Sequence, residues 1–402
     1  MSPLTWQQLK KLVGRVSIDL INGPTTSQST LRLFGKNEED VRVTLYRDNH
    51  GWCPYCQKVW FWLEERRVPY RVKKVTMFCY GEKEVWYKKI CPAGMLPAIE
   101  IDDKLITESD VILHNLEREF GSINGLNMNE PKIKILRQLE RQMFYAWCGW
   151  LCYPSRNKQE ENERKMNFVH VATIMDRALG STHGPFFLNQ FSVADIVFAP
   201  YLERMNASLF YYKGFELRDP TKFPYISDWF DALESRETYL GTQSDFHTHC
   251  HDLPPQMGGC YESTDELQQS FKERINSCVD FELPESRIEE PEDSKYIALD
   301  KVIRHYESML KVNPVDDMDE PLRAALTYMM TDQLEEIPPG TEVGLRYIKD
   351  RICVPRDMPL WSARRFRQAL EVVASTRSPK QGPVIPLIHR RDQDPKPFKR
   401  KI

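Results

Sequence analysis

The sequence of 402 residues has no long hydrophobic run, no surplus of charge and few cysteines for its length. Its longest apolar stretch free of charged side chains, Met143 to Tyr153, is about 11 residues, against the roughly 20 that a membrane-spanning helix requires. The formal charge of -3, from 55 basic and 58 acidic side chains, lacks the basic excess that nucleic-acid binding leaves in composition. Small molecules or proteins are therefore the expected partners. Ten cysteines are too sparse for a disulfide scaffold. No segment combines the basic start, apolar middle and small-residue cleavage site of a secretory signal. A reducing compartment is expected, cytoplasmic, with the plastid stroma open as an alternative. No internal repeat is found. The length implies two or three compact units.

What is present changes character along the chain. In residues 1–40, Trp6, Leu9, Val13, Val16 and Leu20 fall near helical spacing with Lys10, Lys11 and Arg15 between them, which predicts a docking helix followed by a linker. From Val41 to about residue 122, short β-branched runs alternate with helical segments, the pattern of a small α/β domain. Strands are expected at Val41 to Tyr46 and Tyr70 to Thr76, with a hairpin around Asp102-Asp103. Helices are expected at Pro54 to Arg67, Glu82 to Ile90 and Glu108 to Phe120. Residues 127–244 carry helical periodicity throughout and predict an all-helical domain. Residues 245–264, rich in His, Pro and Gly, read as a linker. Residues 265–377 read as a mostly helical extension, with helices at Asp265 to Val279, Ser294 to Val312, Glu320 to Leu334 and Leu360 to Ser375. The basic, proline-containing stretch 378–402 reads as a tail.

The chemistry concentrates in Trp52-Cys53-Pro54-Tyr55-Cys56, between a strand and a helix. Only a thiolate attacks, and the amides and dipole of a helix N-terminus favour it. Pro54 suits the first helical turn, which leaves Cys53 at the cap as the nucleophile and Cys56 one turn inward as a resolving thiol. A Cys-x-x-Cys pair is also half of a zinc site, but no second pair stands at a matching spacing, so no metal is expected. Met95-Leu96-Pro97 leads into a strand where a cis proline would present the backbone of Leu96 to a peptide. Thr107-Glu108-Ser109-Asp110 opens a helix, a place suited to a carboxylate.

Together these residues resemble the cysteine-containing branch of the glutathione S-transferase superfamily, over roughly Val41 to Tyr239. The resemblance implies a thioredoxin-like α/β domain, an all-α domain and, beyond them, an extension. It makes Cys53 and Cys56 the catalytic pair. It makes Leu96, Pro97, Glu108, Ser109 and Lys83 the binding residues for glutathione, the co-substrate. Cys91 stands where the family's Asn-Pro-x-Gly-x-Val-Pro stretch has asparagine. The length of the extension resembles the iota class of cyanobacteria, algae and early land plants. Phe191-Ser192-Val193-Ala194-Asp195-Ile196 resembles the family's structural capping box, in which Ser192 and Asp195 satisfy each other's amides.

The implied activity is glutathione-dependent thiol-disulfide exchange on a small disulfide, an oxidant such as dehydroascorbate, or a glutathionylated protein. Two alternatives stand beside it: a transferase conjugating electrophiles, and a non-catalytic protein that docks a partner through the extension. A homodimer is compatible with the resemblance. Tyr145, Trp147 and Trp150 are candidates for an electrophile pocket, although aromatic core packing fits them too. In an extended linker, the imidazoles of His247-Thr248-His249-Cys250-His251 would share one face, which suits a metal; a solvated segment fits as well. Arg364, Arg365 and Arg367 form a basic cluster that suits an acidic partner, the loop Asp316 to Glu320, or internal salt bridges.

Overall fold

The computed structural model describes residues 2–14, 18–280, 282–379 and 384. Helix α1 (Trp6–Leu12) opens the chain, capped by Thr5, which accepts from the Gln8 amide. It is followed by β1 (Leu31–Arg32), β2 (Val43–Asp48), α2 (Pro54–Arg66), β3 (Tyr70–Val75), α3 (Val85–Ile90), β4 (Ala98–Ile101), β5 (Lys104–Thr107) and α4 (Ser109–Phe120). The five strands form one sheet in the order β1-β3-β2-β4-β5. β2 runs parallel to β3 and antiparallel to β4, the mixed topology of a thioredoxin-like domain. Both faces of β2 are covered: Val43 and Leu45 join the main core on one side, while Tyr46 packs with Tyr87 and Ala98 on the other. The edge strand β1 has no counterpart in the sequence reading, because two residues carry no usable periodicity. Asp102 and Asp103 both take positive φ, at 49° and 62°, the conformation a two-residue hairpin turn demands.

The chain then becomes helical: α5 (Pro131–Leu151), α6 (Lys158–Gly180), α7 (Val193–Lys213), α8 (Pro224–Glu234) and α9 (Glu237–Thr242). The N-terminus of α7 is a capping box. The Ser192 amide donates to the Asp195 carboxylate at 2.9 Å, and the Ala194 amide donates to Ser192 Oγ at 3.2 Å. Asp195 also accepts from the Trp229 indole at 2.9 Å, and burial pushes its carboxyl up to about 6. α7 is buried along its whole length and so shows no amphipathic stripe of its own.

The expected linker at 245–264 is instead α10 (Phe246–Met257), capped by Asp245 through the Thr248 amide and packed against α7. Phe246, Cys250 and Leu253 are buried in the same core as the two preceding domains. Pro254 and Pro255 suggest a break in sequence, but they sit in its last turn. Helix α11 (Glu266–Ser277) also packs on α7, and Ile275 and Leu283 belong to that first core. The extension therefore does not begin at 265. Its separate core is built from α12 (Ser294–Val312), α13 (Asp319–Thr331), α14 (Glu342–Arg351) and α15 (Leu360–Ser375). α14 was not anticipated, since Gly340 and the adjacent prolines mask its short apolar stripe.

The second core also takes Leu9 from α1. The Trp6 ring stacks on Tyr306 with centroids 3.9 Å apart, and its indole donates to Asp319 at 2.7 Å. The N-terminal helix thus docks on the C-terminal extension. Val16 and nearly all of the basic tail lie outside the described residues. Two arginines of α15 turn inward, Arg367 to pair with Asp245 and Arg364 to pair with Glu285 at 3.3 Å, while the half-exposed Arg365 pairs with Glu290 at 2.5 Å. None of these pairs involves the loop Asp316 to Glu320.

Candidate active site

β2 ends at Asp48, and the loop to α2 turns at Gly51, whose φ of +69° favours glycine. Asp48 Oδ2 accepts from the Trp52 amide at 2.7 Å, which fixes the last turn of the loop. Cys53 follows as the N-cap of α2, and Pro54 fills the first helical position where no amide is needed. The Cys53 carbonyl accepts the first helical bond, from the Gln57 amide at 2.9 Å. Both motif cysteines are free thiols. Cys56 is buried one turn inward, and burial followed by its hydrogen bond to Cys53 pushes its thiol well above the ordinary value. Cys56 therefore holds its proton toward the Cys53 sulfur.

Sheet register gathers the other predicted residues at this end. Tyr46 pairs with Ala98, and Ala98 pairs with Thr107. Leu96-Pro97, just before Ala98, and Glu108-Ser109, just after Thr107, thus leave the sheet where β2 delivers its chain to Cys53. The Leu96–Pro97 peptide is cis. Ser109 is the first residue of α4, and Glu108 precedes it with φ of 66°. A cleft of about 290 Å³ runs past Cys53, with Lys83 and Leu96 on the thioredoxin-like side and Trp147, Tyr201 and Arg204 on the helical side. Lys83 donates to the Thr76 carbonyl at 3.0 Å, and burial lowers its pKa. Glu108 and Ser109 lie at the same sheet end, outside that lining.

Asp48, Cys53 and Cys56 bring three donor atoms within 4.8 Å of one another. Among the described residues this group stops at three, one short of a closed zinc site, and Asp48 is already engaged by the Trp52 amide.

Residues 52–119 match the family model of the glutathione S-transferase N-terminal domain, and residues 159–232 match that of the glutathione S-transferase C-terminal domain. Residues 52–119 and 159–232 thus carry the two domains of a glutathione S-transferase. Among its relatives, glutathione S-transferase DHAR3, chloroplastic, of Arabidopsis thaliana is 29% identical over 199 residues, covering 48% of this chain and 70% of the relative. The probable glutathione S-transferase DHAR1, cytosolic, of Oryza sativa subsp. japonica is 27% identical, covering 49% of this chain and 86% of the relative. A solved dehydroascorbate reductase of Chlamydomonas reinhardtii is 18% identical, with a TM-score of 0.44, over 54% of this chain and 98% of that one. Each of these covers about half of this chain.

Two of the three electrophile-pocket candidates are corrected. Trp147 lines the cleft, with its indole held by Ser208 Oγ at 2.9 Å. Trp150, three residues on, faces α6 instead: it packs on Phe168 and Phe215 and donates to Glu161 at 2.7 Å. Tyr145 is 70% exposed and outside the lining. Helical phase separates the three, and only the packing partner says which phase faces the cleft.

The histidine cluster is corrected as well. On a helix, the His247 and His251 rings pack at a tilt with centroids 4.4 Å apart, while His249 points the other way, toward Trp52. The Trp52 indole donates to His249 Nδ1 at 3.0 Å, so the proton of the neutral ring is on Nε2, 3.3 Å from a Glu203 carboxylate oxygen. Burial holds this imidazole down to about 4.

Arg204 was missed entirely. It is buried, donates to the Trp52 carbonyl and to Gln57 Oε1, the latter at 3.0 Å, and lies over the Trp52 ring at 4.6 Å. A lone arginine in an apolar helical run gives no signal by spacing; a charge in the middle of a fully buried helix was the only hint.

Proposed function

We propose that this chain is a cysteine-type, glutathione-dependent thiol-disulfide oxidoreductase. The observation that carries the reading is Cys53 at the N-cap of α2, on the wall of the interdomain cleft, with the protonated Cys56 thiol behind it. A Ser or Tyr at that position would stabilise the thiolate of glutathione for conjugation; a cysteine is itself the better nucleophile toward disulfides. The relatives named DHAR support glutathione as co-substrate.

In the proposed cycle, the Cys53 thiolate attacks the glutathionyl sulfur of a mixed disulfide. A Cys53–glutathione disulfide forms and the substrate leaves as its thiolate. A second glutathione thiolate then attacks the glutathionyl sulfur, releasing oxidised glutathione and regenerating Cys53. In the branch through Cys56, its thiol loses a proton and attacks Cys53 Sγ, expelling glutathione thiolate and leaving a Cys53–Cys56 disulfide, which two glutathiones reduce. Dehydroascorbate serves as the alternative two-electron oxidant: it takes two electrons and a proton from the Cys53 thiolate and one glutathione thiol and leaves as ascorbate, while the same Cys53–glutathione disulfide forms and a second glutathione reduces it.

Leu96 is assigned to the backbone of glutathione, Glu108 and Ser109 to its γ-glutamyl end and Lys83 to its glycyl carboxylate. Such binding suits cation and helix-start chemistry. We place the protein in the cytosol or plastid stroma, in keeping with relatives named for both. No helix of the described residues is long and apolar enough to cross a membrane.

The test is glutathione-dependent reduction of a glutathionylated peptide and of dehydroascorbate by wild type, Cys53→Ser and Cys56→Ser. The expected result is loss of both activities in Cys53→Ser and partial activity in Cys56→Ser. Equal activity in all three would refute the assignment. Turnover of a chloro-aromatic electrophile that survives Cys53→Ser would favour conjugation instead.

A further inference from the structure

A second cavity, of about 540 Å³, lies where the extension closes over the thioredoxin-like domain. Its volume is nearly twice that of the cleft at Cys53, about 290 Å³, and falls in the range that holds a drug-sized ligand. One wall comes from the ends of β2 and β3 and the loops after them, with Asn49, His50 and Lys74. The other comes from α12, α14 and the segment before α15, with Lys301, His305, Arg351 and Arg356. The cavity therefore exists only when the extension is in place.

Its charge is one-sided. Among the described lining residues Asp357 is the one carboxylate, and Arg356 holds it with two contacts of 2.7 Å. Lys74, Lys301 and Arg351 complete the basic lining together with His305, and the carboxylates that act on the first three, Asp48, Asp300 and Asp350, stand outside it. Lys301, 92% removed from solvent, gives a hydrogen bond of 2.5 Å to the uncharged Gln28 amide oxygen. His50 is 5% exposed, packs at a tilt on Tyr80 with centroids 4.2 Å apart, and its Nδ1 has no hydrogen-bond partner. Burial, with Arg47 nearby, holds the Lys74 ammonium down to about 8. Burial, reinforced by Arg356, holds Arg351 down to about 10. Cations disfavoured by burial in this way are what a bound anion would relieve. The rest of the wall is apolar and aromatic, including Tyr80, Tyr347, Phe366 and Met309.

We propose that this cavity binds a small organic anion, a carboxylate or phosphate monoester on an aromatic or aliphatic body, between the extension and the thioredoxin-like domain. The acid group lies among Lys74, Lys301 and Arg351, and the body lies against Tyr80, Tyr347 and Phe366. The inference does not depend on the reaction at Cys53.

The test is calorimetric titration of the full chain, with Cys53 alkylated so that the other cleft is blocked. The probes are 1-naphthyl phosphate, 1-naphthoate and the neutral 1-naphthol. Variants are Lys74→Met/Lys301→Met and, at an exposed position that leaves the core untouched, His305→Glu. One-to-one binding of an anion is expected, roughly tenfold or more tighter than naphthol and weakened at least about tenfold in each variant that melts cooperatively. Binding of the phosphate alone assigns a phosphate monoester, and binding of the naphthoate alone a carboxylate. Absence of anion binding, naphthol binding as tightly as the anions, or wild-type affinity in His305→Glu would overturn the proposal.

Discussion

Replacing Arg367 by methionine removes the buried link between the extension and the helix that reaches the active site. Both side chains of the Arg367–Asp245 pair are 2% exposed. Asp245 also caps α10 through the Thr248 amide at 2.9 Å, and Arg367 donates to Thr248 Oγ1 at 3.3 Å and to the Lys349 carbonyl at 3.3 Å. Methionine fills most of the vacated volume, so the dominant cost is the carboxylate left buried without its cation, about 3–5 kcal/mol. The double variant Arg367→Met/Asp245→Asn keeps a side-chain oxygen for the cap and removes the stranded charge. It should recover about 2 kcal/mol or more of the loss. The assay is urea unfolding followed by tryptophan fluorescence, to which Trp52 contributes through its bond to His249 on α10. A loss below about 1 kcal/mol in the single variant, or strictly additive losses in the double, would show that the pair is not what fastens α10 to the extension.

Three further outcomes follow from the geometry. Lys83→Met should raise the KM for glutathione roughly tenfold with a smaller change in kcat, since its ammonium is assigned to binding; an unchanged KM removes it from the glutathione site. Trp147→Ala should weaken turnover of bulky substrates, whereas Tyr145→Ala, on the exposed side of α5, should leave steady-state kinetics unaltered; equal effects would contradict the helical phase. Burial pushes Asp252 up to about 7 from its ordinary 3.8, so the folded protein holds an extra proton between those values. Its contribution to stability is full below about 3.8 and lost as pH rises toward 7, on the order of 4 kcal/mol at most. Asp252→Asn should flatten the urea midpoint between pH 4 and 7, and an unchanged slope would discount the buried carboxyl.

What the sequence determined by itself is local. Cys53, Pro54 and Cys56 are placed by the start of one helix, the Ser192–Asp195 box by four consecutive residues, and the β4–β5 turn by two adjacent aspartates. In each case the hydrogen-bonding partners are chain neighbours, so spacing carries the geometry. Tertiary structure decided the rest. Sheet register brings Leu96 and Ser109 to the end where Cys53 sits, across more than 40 residues of chain. Packing against α7 turns a His- and Pro-rich segment, which has the composition of a linker, into the buried helix that delivers His249 to Trp52. The phase of α5 sends Trp147 to the cleft and Trp150 to the core, although both are aromatic and three residues apart. Arg204 and the basic cavity beneath the extension depend on contacts between elements far apart in sequence, and periodicity says which residues are buried but not what they are buried against.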